Sequence, residues 1–444
     1  MDILLVNAPV KRRSEHFSQT PPLGLSYIAA VLLDNGYDVS AIDFNVSGFN
    51  PIRVRRVLER EAPRILGIST LTETYLRGLK IAEIAKQVNP GITVVMGGPH
   101  ATVMYKEVVR EKSIDVVARG EGEYTMLELA DCLIRNKGSL AETKGIAYKE
   151  VGAVKINPER PFIEDLDELP FPARELFPLN LYNSPGILLT SRGRCPYNCR
   201  FCAANRIWRG KLRFRQPEKV LEEILFILEH EQPQRLIFAD DTFTLNKEYV
   251  VELCGLLRGM KETLPLRWLC STRVDVVDKE LLWNMHEAGC YTIQFGIEAG
   301  SQRILDSIGK GITLEQIKYA VRATLDLGID AVCSFMFPHP EDTMETIGEL
   351  KQLMGELKDM GAIEYLLSTT PIPGSYYYEH ADELGIKMLS ETWDGYACGY
   401  LVMTTKYLSE EKLRSLLAEL VTIVKADEEV SVEEWEKICE EEWE

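Results

Sequence analysis

Three cysteines, Cys195, Cys199 and Cys202, lie close together in the segment Arg-Gly-Arg-Cys-Pro-Tyr-Asn-Cys-Arg-Phe-Cys. Three thiolates in one loop indicate either a structural zinc ion or an iron–sulfur cluster. A structural zinc site needs four protein ligands, yet no histidine or fourth cysteine follows the loop within twenty residues, and the next thiol, Cys254, falls in a helical pattern. The pattern therefore favours an iron–sulfur cluster.

The number of ligands indicates what such a cluster does. A cubane cluster held by three cysteines keeps one iron atom free of protein ligands, so a substrate or cofactor can bind there, whereas an outer-sphere electron carrier generally keeps four cysteines. The cysteines directly follow the predicted strand Ile187–Ser191. Because loops at the carboxyl ends of barrel strands carry active sites, we expect a catalytic cluster.

The C-x3-C-x2-C spacing resembles the signature of the radical S-adenosylmethionine enzymes. In that family the amino and carboxylate groups of S-adenosylmethionine chelate the open iron of a [4Fe-4S] cluster, and reductive cleavage gives a 5′-deoxyadenosyl radical that abstracts hydrogen. The resemblance implies that Cys195, Cys199 and Cys202 bind the cluster. It also implies that Phe201, the aromatic residue before the third cysteine, lies near the adenine.

The resemblance continues at the ends of the next predicted strands. Asp240 and Asp241 follow the second strand, where two adjacent carboxylates are either a general base pair, and so catalytic candidates, or a helix-capping pair. Arg273 and Glu298 match positions that hold the carboxylate and the ribose of S-adenosylmethionine, since a guanidinium pairs with a carboxylate and a carboxylate accepts from hydroxyls. A surface salt bridge is the alternative for these two residues.

Two later turns also resemble the family. Segment 334–342 resembles the turn after the fifth strand and gives Ser334 as a further cofactor-binding candidate. His339 replaces the glycine common in this turn, and we expect an exposed histidine there, with a proton relay at the rim as the alternative. Tyr376 begins a run of three tyrosines and is the third catalytic candidate, with aromatic packing between barrel and cap as the alternative.

The first part of the chain alternates short apolar runs with helical patterns, which predicts a parallel sheet covered by helices on both faces. The predicted strands are Ile3–Val6, Val39–Ile42, Ile65–Ile68, Thr93–Met96 and Val116–Ala118. Ligands of such sheets bind at the carboxyl ends of the strands. Neither a Gly-x-Gly-x-x-Gly fingerprint nor a Walker phosphate loop occurs, so nicotinamide and nucleoside triphosphate cofactors are disfavoured.

The segments after these strands resemble the cobalamin-binding domain that precedes the barrel in one large subgroup of radical S-adenosylmethionine enzymes. The resemblance implies corrinoid contacts from Ser69, Thr70, Leu71, Thr72, Gly97, Gly98, Gly120 and Glu121. The motif Asp-x-His-x-x-Gly, whose histidine ligates cobalt in methionine-synthase-type domains, is absent. We therefore expect a displaced cobalamin tail and a lower face met by a non-histidine residue or water from loop 70–75.

These patterns predict an α/β protein. Residues 1–145 form a doubly wound, Rossmann-like parallel sheet of the cobalamin-binding type, and residues 146–183 form a Pro-rich linker. Residues 184–376 form a partial (β/α)6 TIM-like barrel, because six strand–helix repeats can be counted rather than eight. Residues 377–444 form a small, mainly helical cap.

Composition narrows the classes of partner. The formal net charge of -18 opposes binding to nucleic acid, and much of the acidic excess lies in a predicted solvated helix at residues 428–444. The sequence has no apolar run long enough for a membrane span and no secretory leader pattern, which predicts a cytoplasmic protein. The seven cysteines outside the loop are expected to be buried free thiols: Cys132, Cys254, Cys270, Cys290, Cys333, Cys398 and Cys439.

We therefore expect a radical enzyme that uses a [4Fe-4S] cluster, S-adenosylmethionine and cobalamin to methylate an unactivated carbon of a small-molecule, lipid or peptide substrate. One S-adenosylmethionine would methylate the corrinoid and a second would generate the radical. A flavodoxin or ferredoxin would supply the electron. The alternatives are a cyclase, ring-rearranging or carbon–carbon coupling enzyme of the same family, and a non-catalytic iron–sulfur electron carrier or redox sensor.

Overall fold

The computed structural model describes residues 1–10, 20–260, 266–397 and 401–425. The chain forms two compact units: unit 1 contains Met1–Pro185 and Arg206–Arg213, and unit 2 contains Gly186–Asn205 and Phe214–Glu444. The predicted acidic helix at 428–444, together with Cys398 and Cys439, lies outside the described residues.

Unit 1 is built on one seven-stranded sheet in the order β2-β1-β3-β4-β5-β6-β7. Its strands are β1 (Ile3–Asn7), β2 (Val39–Asp43), β3 (Ile65–Ser69), β4 (Thr93–Gly97), β5 (Val116–Ala118), β6 (Ile146–Glu150) and β7 (Ala153–Ile156). Its helices are α1 (Leu23–Asp34), α2 (Phe44–Ser47), α3 (Pro51–Glu61), α4 (Tyr75–Val88), α5 (Gly98–Val103), α6 (Tyr105–Val108) and α7 (Glu123–Arg135). The first five strands are parallel, which confirms the predicted doubly wound sheet.

The Pro-rich stretch after residue 145 is part of unit 1 and differs from the predicted free linker. β6 and β7 extend the sheet as an antiparallel hairpin beyond β5. Farther along, Leu169, Phe177 and Tyr182 are buried in the apolar clusters of the unit. The prolines restrict the backbone of this segment, but its apolar side chains still pack on the unit, so the boundary lies at Pro185.

Unit 2 contains a six-stranded sheet in the order β15-β14-β13-β12-β11-β8, which confirms the predicted partial barrel. From β8 onward the strands of the chain are β8 (Ile187–Leu188), β9 (Ser191–Arg192), β10 (Arg213–Phe214), β11 (Leu236–Phe238), β12 (Trp268–Thr272), β13 (Cys290–Glu298), β14 (Asp330–Phe337), β15 (Ile363–Ser368), β16 (Lys387–Met388) and β17 (Met403–Thr404). From α8 onward the helices are α8 (Ala204–Ile207), α9 (Pro217–His230), α10 (Lys247–Arg258), α11 (Lys279–Glu287), α12 (Gln302–Ser307), α13 (Leu314–Leu325), α14 (Met344–Asp359), α15 (Tyr376–Glu379) and α16 (Glu410–Lys425).

Side-chain capping starts the helices between these strands. Asn246 and Asp278 accept from backbone N–H groups at the first turns of α10 and α11, and Thr313 and Thr343 form capping boxes at α13 and α14. Such caps satisfy donors that a helix cannot pair internally. The residues between a strand end and its helix are therefore held in short, defined turns. Within the described residues, no helix has the length and apolar character needed to cross a membrane.

One carboxyl group in the barrel is costly for stability. Both oxygen atoms of Glu364, on β15, are buried with no hydrogen-bond partner among the described residues. Burial raises the pKa of this carboxyl to about 7, and Lys358 only partly offsets the effect. The raised pKa means that folding stability falls as pH rises from the unfolded-state pKa of about 4.3 toward 7, because the folded state resists ionisation.

We expect Glu364→Gln to stabilise the protein by about 2 to 3 kcal/mol near pH 8 and to have little effect near pH 4.5, because glutamine resembles the neutral acid. Thermal unfolding of the two proteins at several pH values measures the difference. Glu349→Gln, on an exposed part of α14, is the control. A stability gain that does not depend on pH would show that ionisation of Glu364 is not its cause.

Candidate functional site

The cysteine loop connects β9 to α8, and backbone hydrogen bonds hold it within unit 2. The Arg200 N–H donates to the Ile308 carbonyl at 2.9 Å, and the Tyr377 N–H donates to the Arg200 carbonyl at 3.1 Å. The Ala204 N–H donates to Cys202 Sγ at 3.4 Å. The loop is therefore fixed by the segment after α12, by α15 and by its own following helix.

The three loop cysteines are free thiols, and two cations act on Cys199. Burial raises the pKa of the Cys199 thiol, while Lys310 and Arg273 act in the opposite direction. Although Cys202 reaches solvent, desolvation by the surrounding protein raises the pKa of its thiol to about 11. Neutral thiols release protons when they bind metal, and nearby cations stabilise the resulting negative charge.

The donor set fits an iron–sulfur cluster. Three free thiols come from one loop, and Arg273 Nη1 lies 4.0 Å from Cys199 Sγ. In the part of the chain that the structure describes, no three His, Cys, Asp or Glu side chains converge on a position for one metal ion. A cluster differs from a single ion in that each cysteine binds a separate iron atom.

Asp240 is a buried anchor for the strand that leads into the cysteine loop. Its carboxylate accepts from the Thr190 N–H at 3.0 Å, the Thr190 hydroxyl at 2.8 Å and the Ser191 hydroxyl at 2.5 Å. Burial raises the pKa of the Asp240 carboxyl, and these hydrogen bonds oppose that shift. The contacts support a positioning role, and the predicted proton transfer by Asp240 stays a prediction.

Asp241 is different from its neighbour because its side chain reaches the surface. Desolvation by the surrounding protein nevertheless raises the pKa of its carboxyl. Its negative charge also contributes to the raised pKa of the Cys202 thiol, which places the two groups near each other. Asp241 therefore remains the more accessible of the two acidic catalytic candidates.

Arg273 follows β12, and its guanidinium is almost fully engaged by the protein. It pairs with the carboxylate of Asp275 at 2.8 and 3.0 Å, donates to the Lys310 carbonyl at 2.6 Å and lies 3.5 Å from the centre of the Tyr197 ring. These contacts link the cysteine loop to the segment after α12. They support a positioning role, and the predicted pairing with a cofactor carboxylate stays a prediction.

Glu298 ends β13 in an unusual backbone conformation. Its φ is +70°, a left-handed value that costs a non-glycine residue about 1 to 2 kcal/mol. Its Oε1 accepts from Lys310 Nζ at 2.8 Å, and both side chains are largely buried. A Cβ at the preceding Gly296 would lie 2.4 Å from Glu298 Oε1, so glycine makes room for the ion pair.

The prediction for His339 was wrong, because its imidazole is only 1% exposed. The sequence suggested an exposed turn, but the turn after β14 folds inward toward the Tyr377 ring and Glu298. The imidazole centre also lies 6.3 Å from that of Phe201. Phe201 is thus half-buried inside the site, as a residue near a bound cofactor would be.

The structure also places the tyrosine run. Tyr376 is 39% exposed and stacks on His380 with ring centres 4.0 Å apart, while the Arg200 guanidinium lies 5.1 Å from its ring centre. Tyr377 points into the protein and is 2% exposed. The catalytic role predicted for Tyr376 stays a prediction, and its neighbour is the tyrosine with contacts inside the site.

Sequence reasoning missed Lys310 as a member of the site, gave no role to Tyr197 in the cysteine loop, and included Tyr377 only as part of the tyrosine run. Lys310 has a detectable signal, because it stands between Gly309 and Gly311, and both glycines have left-handed φ values. A charged residue held in such a turn is typical of a functional position. The two tyrosines carry no comparable sequence signal, since aromatic residues are common in cores.

The concave face of the barrel sheet carries uncharged side chains in its middle rows, and the Glu298–Lys310 ion pair lies beside Gly296 at one end. Strand residues alternate between buried positions under the helices and partly exposed positions on the opposite face. The partly exposed residues, which strand register places on one face, are Ile237, Leu269, Ser271, Gln294, Val332 and Met336. Ser334, predicted to contact cofactor, pairs in register with Gly296 and is buried on the same face. The middle rows of this face are therefore uncharged.

Unit 1 has its own crevice, at the point where the strand order reverses. The strand order 2-1-3-4-5 puts this switch point between β1 and β3, where ligands of doubly wound sheets bind. Ser69 ends β3 there, and Thr70 donates to the Gly97 carbonyl through its N–H at 3.0 Å and its hydroxyl at 3.2 Å. Gly98 has a φ of +91°, and a Cβ would lie 2.6 Å from the Thr70 carbonyl oxygen. Only glycine allows this close approach.

The loop after β3 exposes an apolar side chain beside a buried histidine. Leu71 is 48% exposed, and Thr72 Oγ1 lies 3.2 Å from His100 Nδ1. His100 is 2% exposed, its ring stacks on Tyr75 with centres 4.4 Å apart, and burial lowers its pKa to about 4. A buried, engaged imidazole is consistent with our expectation that no histidine coordinates cobalt.

The two residues after β5 that we predict to contact the corrinoid, Gly120 and Glu121, differ in how accessible they are to a ligand. Gly120 is exposed with a φ of +75°, and a Cβ there would meet no atom within 4 Å, so a large ring can approach its backbone. Glu121 is 6% exposed, and its carboxylate accepts from the Ile163 N–H at 2.7 Å and from Arg213 at 2.9 Å. Its contacts support a structural role, and corrinoid contact by Glu121 stays a prediction.

Comparison with known proteins identifies both units. The family model of the B12 binding domain matches residues 14–130, and that of the Radical SAM superfamily matches residues 190–354. An uncharacterized methyltransferase of Pyrococcus horikoshii is 36% identical over 425 residues, covering 94% of this chain and 91% of that protein. The anaerobic magnesium-protoporphyrin IX monomethyl ester cyclase of Rubrivivax gelatinosus is 33% identical, covering 74% of this chain and 61% of the cyclase.

A solved structure has the same fold at lower identity. The radical S-adenosylmethionine methyltransferase TsrM of Kitasatospora setae, solved with cobalamin and a [4Fe-4S] cluster bound, matches with a TM-score of 0.72. The match covers 89% of this chain and 85% of TsrM at 17% identity. At this identity the likeness extends to the fold.

Proposed function

The chain belongs to the radical S-adenosylmethionine enzymes that carry a B12-binding domain, and on this basis we propose that it is a cobalamin-dependent methyltransferase acting on an unactivated carbon. The observation that carries the proposal is the cysteine loop of the barrel unit, which holds three free thiols and in which Cys199 lies near Arg273 and Lys310. The corrinoid crevice of unit 1 and the methyltransferase name of the Pyrococcus relative support it.

The residues of this chain have distinct tasks in the proposal. When bound, the cluster and S-adenosylmethionine supply a radical that takes hydrogen from the substrate, and the corrinoid supplies the methyl group. Cys195, Cys199 and Cys202 hold the cluster, while Asp240 and Arg273 hold their loop in place. The Glu298 carboxylate accepts hydrogen bonds from the cofactor ribose.

The concave face of the barrel is the substrate surface in this proposal. Ser271 Oγ donates to Gln294 Oε1 at 3.4 Å, so one polar pair lies among apolar side chains. Removing a charged group from water onto such a surface is unfavourable. We therefore expect the part of the substrate that lies on the middle rows of this face to be uncharged.

In unit 1, the backbone of Gly97, Gly98 and Gly120 receives the corrinoid ring. Small residues let a planar ring approach the main chain closely. Ser69 and Thr72 would add hydroxyl groups at this edge, Thr70 holds the loop through the Gly97 carbonyl, and the exposed Leu71 would be free to contact the ring. None of these side chains would offer cobalt an imidazole.

A cyclase is the second candidate function, since the Rubrivivax relative bears that name and is 33% identical. The two candidates differ in products. A methyltransferase of this kind forms both S-adenosylhomocysteine and 5′-deoxyadenosine, whereas a cyclase that transfers no methyl forms no S-adenosylhomocysteine. Quantifying both products after anaerobic turnover with an acidic electron-carrier protein such as flavodoxin as reductant distinguishes them, and a redox sensor would form neither.

We expect Glu298→Gln to weaken S-adenosylmethionine binding about ten- to a hundredfold, because a charge-assisted hydrogen bond to the ribose is lost. Glutamine keeps an acceptor for Lys310, so the cluster loop should stay intact. Equilibrium binding with the reconstituted protein measures the dissociation constant, and iron content checks the cluster. Glu315→Gln, exposed at the start of α13, is the control. A dissociation constant equal to that of the wild type would remove Glu298 from the cofactor site.

A further inference from the structure

His339 connects two parts of unit 2 that are far apart in sequence. Its Nε2 lies 3.2 Å from the Glu298 carbonyl oxygen, and its Nδ1 lies 3.1 Å from the Tyr377 hydroxyl. Its own N–H donates to Asp342 Oδ2 at 2.7 Å, which fixes the backbone of the turn. Both ring nitrogens and the main chain of this buried residue are therefore engaged.

The partners of the ring determine where its proton lies. A carbonyl oxygen can only accept, so His339 Nε2 must carry the proton that bonds to Glu298. In the neutral ring, Nδ1 then accepts from the Tyr377 hydroxyl. The imidazole thus has one defined tautomer with a donor on one side and an acceptor on the other.

Both hydrogen-bond partners of the imidazole, Glu298 and Tyr377, belong to the proposed S-adenosylmethionine site or to the elements that hold it. Glu298 has a left-handed φ of +70°, and its carbonyl would turn away from His339 if the backbone relaxed to the favoured region. Tyr377 donates through its N–H to the carbonyl of Arg200, between the second and third loop cysteines. His339 therefore bridges the strained Glu298 turn and the element that holds the cysteine loop.

We propose that His339 is a positioning residue for S-adenosylmethionine, which holds the Glu298 backbone in the conformation that presents its carboxylate to the ribose. The inference rests on the proposed cofactor site and adds a residue to it. Tyr377 acts with it by holding the imidazole in the Nε2–H tautomer. Neither residue contacts the reacting atoms in this account.

Three substitutions separate this role from simple packing. His339→Leu fills space but removes both hydrogen bonds, and we expect the S-adenosylmethionine dissociation constant to rise about tenfold, while about four irons per chain remain. His339→Gln places an amide N–H where Nε2 stood and should restore affinity to within about threefold of wild type. Tyr377→Phe keeps the ring and removes the hydroxyl, and its affinity should lie between the two.

The spectrum of the iron–sulfur cluster measures S-adenosylmethionine binding without catalytic turnover. Addition of S-adenosylmethionine to the reduced wild-type protein should change its electron paramagnetic resonance spectrum. His339→Leu should need about tenfold more cofactor for that change, with an unaltered spectrum before addition. A wild-type dissociation constant in His339→Leu, or equal loss of iron in the leucine and glutamine variants, would overturn the positioning role.

A second measurement does not depend on cofactor binding. Nuclear magnetic resonance is recorded on protein that is labelled with ¹⁵N-histidine and carries the oxidised cluster. The imidazole signal that is present in the wild type and absent from His339→Gln is that of His339. We expect an Nε2–H tautomer, and an Nδ1–H tautomer would overturn the proposal. If the wild type holds its cluster but binds no S-adenosylmethionine, the proposed function fails while the tautomer still decides whether His339 holds the Glu298 carbonyl.

Discussion

Replacing Cys195, Cys199 and Cys202 together by alanine is expected to abolish the iron content that anaerobic reconstitution gives the wild-type protein. The wild type should carry about four iron atoms per chain, because a cubane cluster contains four. The expected value for the triple variant is near zero, and S-adenosylmethionine cleavage should disappear with it. Iron analysis and the visible absorption of the cluster measure both proteins side by side.

The triple variant should remain folded, since the loop is held by groups other than its thiols. Asp240 anchors the strand before the loop, and Ile308 and Tyr377 hold its backbone through Arg200. Cys132→Ala, a half-buried thiol on α7 of unit 1, is the matched control and should keep all its iron. Retention of about four irons by the triple variant, or zinc in the wild-type protein, would contradict the cluster assignment.

The second prediction concerns the ligands of cobalt in the bound corrinoid. We expect the wild type to bind one hydroxocobalamin per chain with its tail displaced, so the Co(II) form should lack nitrogen superhyperfine splitting in its electron paramagnetic resonance spectrum. His100 is buried against Tyr75 and Thr72, while the exposed residue of the same loop is Leu71. Leucine offers cobalt no ligand.

Leu71→His should introduce that missing nitrogen splitting, because an imidazole then projects from the loop at the crevice. The loop itself should keep its shape, since Thr74 Oγ1 accepts from the residue 71 N–H at 2.9 Å whatever side chain is present. Glu107→His, exposed on α6, controls for an added histidine elsewhere in unit 1. Splitting in the wild-type spectrum would refute the predicted coordination, and a corrinoid-free wild type would favour the cyclase function.

Much of the fold could be predicted because its physical signals are local. Buried parallel strands are continuous apolar runs, and the five strands predicted from Ile3–Val6 to Val116–Ala118, like the predicted strand Ile187–Ser191, overlap observed ones. The antiparallel hairpin of β6 and β7 was missed, since β7 has only four residues and all of them are exposed. The composition of the Pro-rich stretch predicts a linker because composition indicates backbone stiffness and not packing partners.

The candidate site was predictable where spacing carries the chemistry, as in the cysteine loop. The site was less predictable where the role of a residue depends on partners that are distant in sequence. Nothing near Glu121 in sequence reveals that Arg213 occupies its carboxylate, and nothing near Arg273 reveals Tyr197 stacked on its guanidinium. His339 was placed in an exposed turn for the same reason, since its two ring partners lie at positions 298 and 377.

Methyl transfer itself is the most direct test of the account. Anaerobically reconstituted protein with cobalamin, S-adenosylmethionine carrying a trideuterated methyl group and a flavodoxin is incubated with a metabolite and peptide extract, and products are followed by mass spectrometry. We expect a product that has gained one trideuterated methyl group, formed together with S-adenosylhomocysteine and 5′-deoxyadenosine in equal amounts. Formation of 5′-deoxyadenosine with a product that contains no deuterium and with no S-adenosylhomocysteine would contradict methyl transfer.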